Sequence, residues 1–281
     1  MMHVGVIGAG VMGRGVTQNL IQSGMKTILV DISDSVLKAA KKEIHRNMRF
    51  STLLTGSKEI DNIDRFMENV SFTTDMALLK DSDFIIENIT EDLEAKEKVY
   101  EQLNDICSEN SVILINTSCI SITKLAAIYQ FPEKVIGTHF MNPVPLMTAV
   151  EVIRGFYTSD QTIEETKIFL KNLGKESILV KDYPGFVSNR ISHLYMNEAA
   201  FIVQDGVTTP YVVDEIFKKC YGHKMGPLET ADLIGLDTVV KSLKILYESY
   251  QDPKFRCCPL LKKMVDAGLY GRKTGRGFYE Y

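Results

Sequence analysis

The sequence has no apolar run of about 18 residues, so no segment of it reads as a membrane-crossing helix. Its first residues, MMHVGVIGAGVMG, are apolar but broken by glycines, and they lack the basic segment and cleavage site of a secretory leader. The five cysteines, Cys107, Cys119, Cys220, Cys257 and Cys258, are odd in number and form no C-x-x-C pair. They read as free thiols of a reducing cytoplasm, not as a disulfide frame, and no metal site is expected. Charge of one sign is also missing: 32 basic against 36 acidic residues leave a net charge of -4. That balance excludes a general attraction to nucleic acid or to an anionic membrane. Internal repeats and low-complexity tracts are absent as well. What remains is an ordinary globular composition, 45% hydrophobic and 24% charged over 281 residues, enough for one large or two ordinary domains.

The first half alternates strand-like and helix-like segments. Val4 to Ile7, Thr27 to Val30, Phe84 to Ile86, Val112 to Ile115, Val135 to Thr138 and Val150 to Ile153 are short apolar runs. Between them, Arg14 to Ser23, Ser35 to Phe50 and Asp92 to Cys107 carry helical periodicity, with Gly24 placed to end the first. Such alternation predicts a mostly parallel sheet covered by helices on both faces. After Asp182-Tyr183-Pro184-Gly185 the pattern becomes helical, over Val187 to Gln204, Pro210 to Tyr221 and Leu236 to Tyr250. The expected architecture is a Rossmann-type doubly wound α/β domain, residues 1–183, followed by a smaller all-helical domain, residues 184–281.

Gly8-Ala9-Gly10-Val11-Met12-Gly13 fits Gly-x-Gly-x-x-Gly between a strand and a helix. In that context Gly8 permits a tight turn, Gly10 admits a pyrophosphate to the backbone, and Gly13 allows close helix packing. The helix N-terminus that includes Val11 and Met12 offers free N–H groups to phosphate. Asp31, 18 residues after Gly13, ends the second strand. A carboxylate there accepts hydrogen bonds from ribose hydroxyls and repels the 2′-phosphate of NADP, so the fingerprint points to NAD. FAD is the rival cofactor, against which stand the short chain and its helical second half.

His139 follows an apolar strand whose carboxyl end should open into the ligand crevice. Glu151, 12 residues later, is the one charge within Ala149-Val150-Glu151-Val152-Ile153 and needs a partner there. Paired, the imidazole would take a hydroxyl proton and the carboxylate would orient the ring and stabilise the imidazolium. Taken alone, a histidine at a strand end also reads as structural, Ser118 as a helix-capping residue and Asn189 as a solvated one.

The chain resembles the 3-hydroxyacyl-CoA dehydrogenase family, including bacterial 3-hydroxybutyryl-CoA dehydrogenases. The resemblance rests on VGVIGAGVMGRG, Glu91-Asp92-Leu93-Glu94-Ala95-Lys96, Asn116-Thr117-Ser118, GTHFMNPVPLM with the Val-Glu-Val after it, and Pro184 to Arg190. It continues through Met225-Gly226-Pro227 and Gly271 to Tyr279, and so spans nearly the whole chain. It implies His139 as catalytic base with Glu151 as its partner, and Ser118 and Asn189 near the reacting oxygen and nicotinamide. It further implies Glu91, Lys96, Asn116, Asn142 and Lys273 along the cofactor cleft, and a homodimer through the helical domain. Lys96 also has a plainer reading, as an ion pair with Asp92 on the same helix.

Four departures bear on the substrate. Asn47 to Ser57 offers no clear basic contact for CoA phosphates; Cys119 stands for a usual serine; Lys224 precedes Met225; and Thr148-Ala149 replaces a Lys-Leu pair. The expected substrate is a short-chain (S)-3-hydroxyacyl-CoA. The alternatives are a short hydroxyacyl group, such as glyceryl or seryl, on an acyl carrier protein, a non-thioester such as a sugar acid, or NAD binding without catalysis.

Overall fold

A computed structural model describes residues 2–55 and 63–281 of the chain. Of the stretch Asn47 to Ser57, the side chains from Ser51 onward lie outside the described residues. The chain divides into two compact units, Met1–Asp182 and Tyr183–Tyr281.

The first unit is built on a sheet of eight strands among the described residues: β1 His3–Ile7, β2 Lys26–Val30, β3 Val70–Thr73, β4 Phe84–Glu87, β5 Val112–Ile115, β6 Val135–His139, β7 Ala149–Arg154 and β8 Glu176–Lys181. Their spatial order is β3-β2-β1-β4-β5-β6-β7-β8. Every neighbouring pair is parallel except β6 with β7. Its α-helices among the described residues are α1 Val11–Gln22, α2 Asp34–Thr55, α3 Ile63–Met67, α4 Leu93–Ile106, α5 Ile122–Ala126 and α6 Asp160–Asn172.

The central strands are apolar at successive positions because both faces are covered. Val4, Val6, Ile86, Leu114 and Ile136 join one core with Leu20, Ile44 and Phe169 from α1, α2 and α6. The residues between them in sequence, Ile85, Ile113 and Ile115, are equally buried on the other face. The chain runs outward from β1 to β3 on one side and from β4 to β6 on the other. The order therefore reverses between β1 and β4, and their carboxyl ends frame the crevice where such sheets bind ligands.

β3 and β8 are absent from the sequence reading. β3 is four residues of VSFT with no fully buried position, and β8 is an edge strand exposed at Glu176, Ile178, Leu179 and Lys181. Neither carries the continuous apolar run that betrays a central strand.

The second unit comprises five α-helices among the described residues: α7 Ser188–Gln204, α8 Pro210–Tyr221, α9 Pro227–Ile234, α10 Leu236–Tyr250 and α11 Pro259–Asp266. Its core joins Met196 and Ala200 of α7, Leu228 and Ala231 of α9, Leu243 of α10 and Leu261 of α11. Two buried aspartates are satisfied by backbone. Asp214 accepts from the N–H groups of Leu228 and Glu229 at the start of α9, where the helix leaves donors unpaired. Asp232 accepts from the N–H groups of Phe278 and Tyr279 and so ties the chain terminus to α9. Burial pushes the Asp232 carboxyl up against the opposing pull of those hydrogen bonds. Among the described residues no helix is long and apolar enough to cross a membrane.

Candidate active site

The glycine turn joins β1 to α1 at the reversal of strand order. Gly8 has φ +94°, and a β-carbon there would stand 2.7 Å from the Asn88 carbonyl oxygen. A β-carbon on Gly13 would stand 1.8 Å from the Gly8 carbonyl oxygen, so what Gly13 permits is closure of the turn on itself. Gly10 differs: a β-carbon there would meet nothing within 4 Å, which leaves its backbone open to a ligand. Val11, Met12 and Gly13 then open α1, whose N-cap is Gly10.

Asp31, after β2, accepts a 2.8 Å hydrogen bond from the Ala9 N–H at one carboxylate oxygen and a 3.2 Å bond from the Ser33 N–H at the other. The carboxylate thereby fixes the glycine turn as well as standing at the crevice. A cleft of about 730 Å³ opens here, lined among others by Gly8, Gly10, Asp31, Ile32 and Asn88. The open Gly10 backbone, the free helix N-terminus and the acceptor at Asp31 fit the pyrophosphate and ribose of a dinucleotide.

Next along the crevice, side chains link the strand ends. Asn116, after β5, donates from its amide to the Asn88 side-chain oxygen at 2.6 Å, and its own oxygen accepts from the Phe140 N–H at 3.2 Å. One side chain thus spans the ends of β4, β5 and β6. Glu91 gathers the turn that follows β5: one of its oxygens accepts from the Thr117 hydroxyl at 2.5 Å and from the Ser118 and Cys119 N–H groups at 2.9 Å each.

Lys96 is not at the surface of the cleft. Its side chain is fully buried, and its ammonium donates at 2.7 Å to both carboxylate oxygens of Glu87, which is also fully buried. The pairing with Asp92 does not form either, because Asp92 caps α4 by accepting from the Ala95 N–H. The Lys96 side chain is instead buried at Glu87, the last residue of β4. Burial pushes the Glu87 carboxyl up, opposed by the Lys96 charge.

At the end of β6 the antiparallel register sets His139 directly opposite Glu151 of β7. Opposed residues of an antiparallel pair share a face, so the two side chains meet. His139 Nδ1 lies 3.1 Å from Glu151 Oε2, and Nε2 lies 3.3 Å from the Ser118 hydroxyl. With the Nδ1 proton directed at the carboxylate, Nε2 is left as the acceptor. Both side chains are more than nine-tenths buried.

Residues 3–183 match the family model described as the NAD-binding domain of 3-hydroxyacyl-CoA dehydrogenase, and residues 185–281 match that of its C-terminal domain. The chain belongs to the 3-hydroxyacyl-CoA dehydrogenase family. It is 42% identical over its full length to the whole of a probable 3-hydroxybutyryl-CoA dehydrogenase from Deinococcus radiodurans. A 3-hydroxybutyryl-CoA dehydrogenase from Bradyrhizobium diazoefficiens is 41% identical, over 99% of this chain and 94% of that one. The crystal structure of (S)-3-hydroxybutyryl-CoA dehydrogenase from Ralstonia eutropha superposes with a TM-score of 0.95 at 40% identity, covering 100% of this chain and 99% of that chain. As a member of this dehydrogenase family the chain is an oxidoreductase and its cofactor is NAD, which the open glycine turn and Asp31 are built to hold.

Two residues that the dehydrogenase motifs point to belong to the helical unit. Asn189 is the second residue of α7, and its carbonyl oxygen lies 2.9 Å from His193 Nδ1. Lys273 forms an ion pair with Asp237 at 2.5 Å, and its ammonium stands 5.3 Å from the Tyr270 ring centroid. In the first unit, Asn142 follows β6 within a turn whose next members are Pro143 and Val144.

Glu87 and Asn88 went unread in the sequence. Glu87 carried a usable signal, a charge at the end of the apolar run Phe84-Ile85-Ile86, which is the same signal that exposes Glu151. Asn88 carried none, since its role depends on Asn116 in the neighbouring strand.

Proposed function

We propose that this chain interconverts a short-chain (S)-3-hydroxyacyl-CoA, such as 3-hydroxybutyryl-CoA, with its 3-oxoacyl-CoA. The observation that carries this reading is the Ser118–His139–Glu151 line of hydrogen bonds, placed at the carboxyl ends of the strands beside the dinucleotide turn. The bound nucleotide would supply the hydride acceptor, as NAD+, when the alcohol is oxidised, and the hydride donor, as NADH, when the ketone is reduced.

His139 Nε2 takes the proton of the substrate hydroxyl in one direction and returns it in the other. Glu151 holds the ring in the tautomer that exposes Nε2 and stabilises the imidazolium formed on proton transfer. Ser118, its turn held by Glu91, hydrogen-bonds the reacting oxygen. Asn189, from the helical domain, adds a second hydrogen bond there. Asp31, Gly8, Gly10, Val11, Met12 and Gly13 hold the adenosine and pyrophosphate portions, while Glu91, Asn116, Asn142 and Lys273 line the rest of the cofactor cleft. Lys96 supports the cleft from beneath, through Glu87. Residues 1–183 form the NAD-binding domain and 184–281 the substrate and dimerisation domain of a cytoplasmic homodimer.

CoA is favoured over an acyl carrier protein by the names of the full-length relatives, each of which gives a CoA thioester as the substrate. The test is loss of NADH absorbance on addition of acetoacetyl-CoA. Turnover supports the reading. Turnover of only the carrier-protein thioester would replace the CoA assignment, and NAD binding without oxidation of any hydroxyacyl thioester would overturn the catalytic one.

A further inference from the structure

Lys175 lies between α6 and β8, outside every sequence motif of the site, yet it is only 7% exposed. Its ammonium donates to two backbone carbonyls, Val144 at 2.7 Å and Met147 at 2.5 Å, and it forms no ion pair among the described residues. Burying a lysine without a carboxylate is costly, and burial does lower its proton affinity. An arrangement of that cost calls for a role beyond packing.

The two carbonyls belong to the loop that joins β6 to β7, between His139 and Glu151. Within it the Leu146 and Met147 N–H groups both donate to the Pro143 carbonyl, at 3.0 and 3.2 Å. This is a single helical turn, and its trailing carbonyls have no following residues to satisfy them. A cation beside such carbonyls acts as it does at a helix C-terminus. Val144, 1% exposed, is also seated against α1 at Gly15, where a β-carbon would come within 3.1 Å of it. The far end of the loop is fixed by the Glu176 N–H donating to the Thr148 carbonyl at 2.7 Å.

We infer that Lys175 is a positioning residue: its ammonium clamps the Pro143–Met147 turn and thereby sets Asn142, immediately before that turn, in the cofactor cleft. The inference rests on the function proposed above. His139 and Glu151 are held independently by the β6–β7 ladder, so the clamp acts on the loop and not on the acid–base pair.

The test compares wild type, Lys175→Met and Lys175→Arg by hydrogen exchange and by NADH-dependent reduction of acetoacetyl-CoA. Lys175→Met removes the side-chain donor from the buried bond to the Val144 carbonyl and from the part-buried one to the Met147 carbonyl. Its amides at Leu146 and Met147 should exchange faster while those of β6 and β7 do not. Its kcat should fall about tenfold, within the range that a displacement of about 1 Å produces. The pH profile of kcat should keep its midpoints, and Lys175→Arg should recover most of the loss. If Lys175→Met does not fold, Lys175→Gln, which keeps an amide NH2 on a shorter side chain, gives the same reading in weaker form. Unchanged loop exchange overturns the proposal. So does faster exchange spread evenly over the sheet with kcat unaltered, which is the mark of a purely structural residue. If wild type fails to reduce any thioester, the functional reading falls, while loop exchange still decides the clamp.

Discussion

His139 and Glu151 are 12 residues apart in sequence and directly opposed across the only antiparallel pairing among the described strands of the sheet, with Nδ1 and Oε2 separated by 3.1 Å. The reversal of strand direction makes this possible, because it brings the end of β6 and the interior of β7 to one point at the crevice. Replacing the carboxylate while keeping its shape isolates its charge. Glu151→Gln should lower kcat by about 10²–10⁴-fold, the range of acid–base catalysis, with NADH affinity unchanged by fluorescence titration. A variant with wild-type kcat would remove Glu151 from the mechanism.

Asp31 has two tasks in the structure, since it accepts the Ala9 N–H as well as facing the crevice. Asp31→Ala should therefore weaken NADH binding and narrow the preference for NADH over NADPH. Steady-state KM values for both nucleotides check this, and an undiminished preference would contradict the assignment.

The buried Glu87–Lys96 pair predicts a non-additive result in stability. Lys96→Met alone leaves an uncompensated buried carboxylate and should cost about 3–5 kcal/mol, whereas Lys96→Met with Glu87→Leu should cost much less. Chemical denaturation of the two single variants and the double variant completes the cycle. Additive losses would show that the two groups do not depend on one another.

Four of the five cysteines are buried and only Cys220 is exposed. Burial pushes the thiols of Cys107 and Cys257 up to about 11, far from the thiolate form that reacts. A thiol reagent near neutral pH should modify one cysteine per folded chain quickly and five after denaturation. Rapid labelling of Cys257 or Cys258 would contradict the inert, packed role that their adjacency in the helical core gives them.

The central part of the fold was legible because its signals are local. A continuous apolar run names a buried strand, the glycine turn names the β1–α1 junction, and helices α7, α8 and α10 follow from their periodicity. β3 and β8 were not legible, because an edge or short strand draws its identity from the neighbour it pairs with. The site divides in the same way. One misplaced charge in an apolar strand suggested a partner for His139, and the family resemblance decided the pairing and also named Asn116 and Glu91; the contacts that these two and Asn88 make across strand ends are what the sequence does not bring together. Lys96 shows the converse: a motif marked its position, but its burial against Glu87 depended on which way α4 faces the sheet.

The role of His139 is tested most directly by the turnover of His139→Ala with acetoacetyl-CoA and NADH beside its NADH binding. Wild type should reduce the thioester, and the variant should show a kcat lower by about 10²–10⁴-fold with an unchanged dissociation constant for NADH. Near wild-type kcat in His139→Ala would contradict that role.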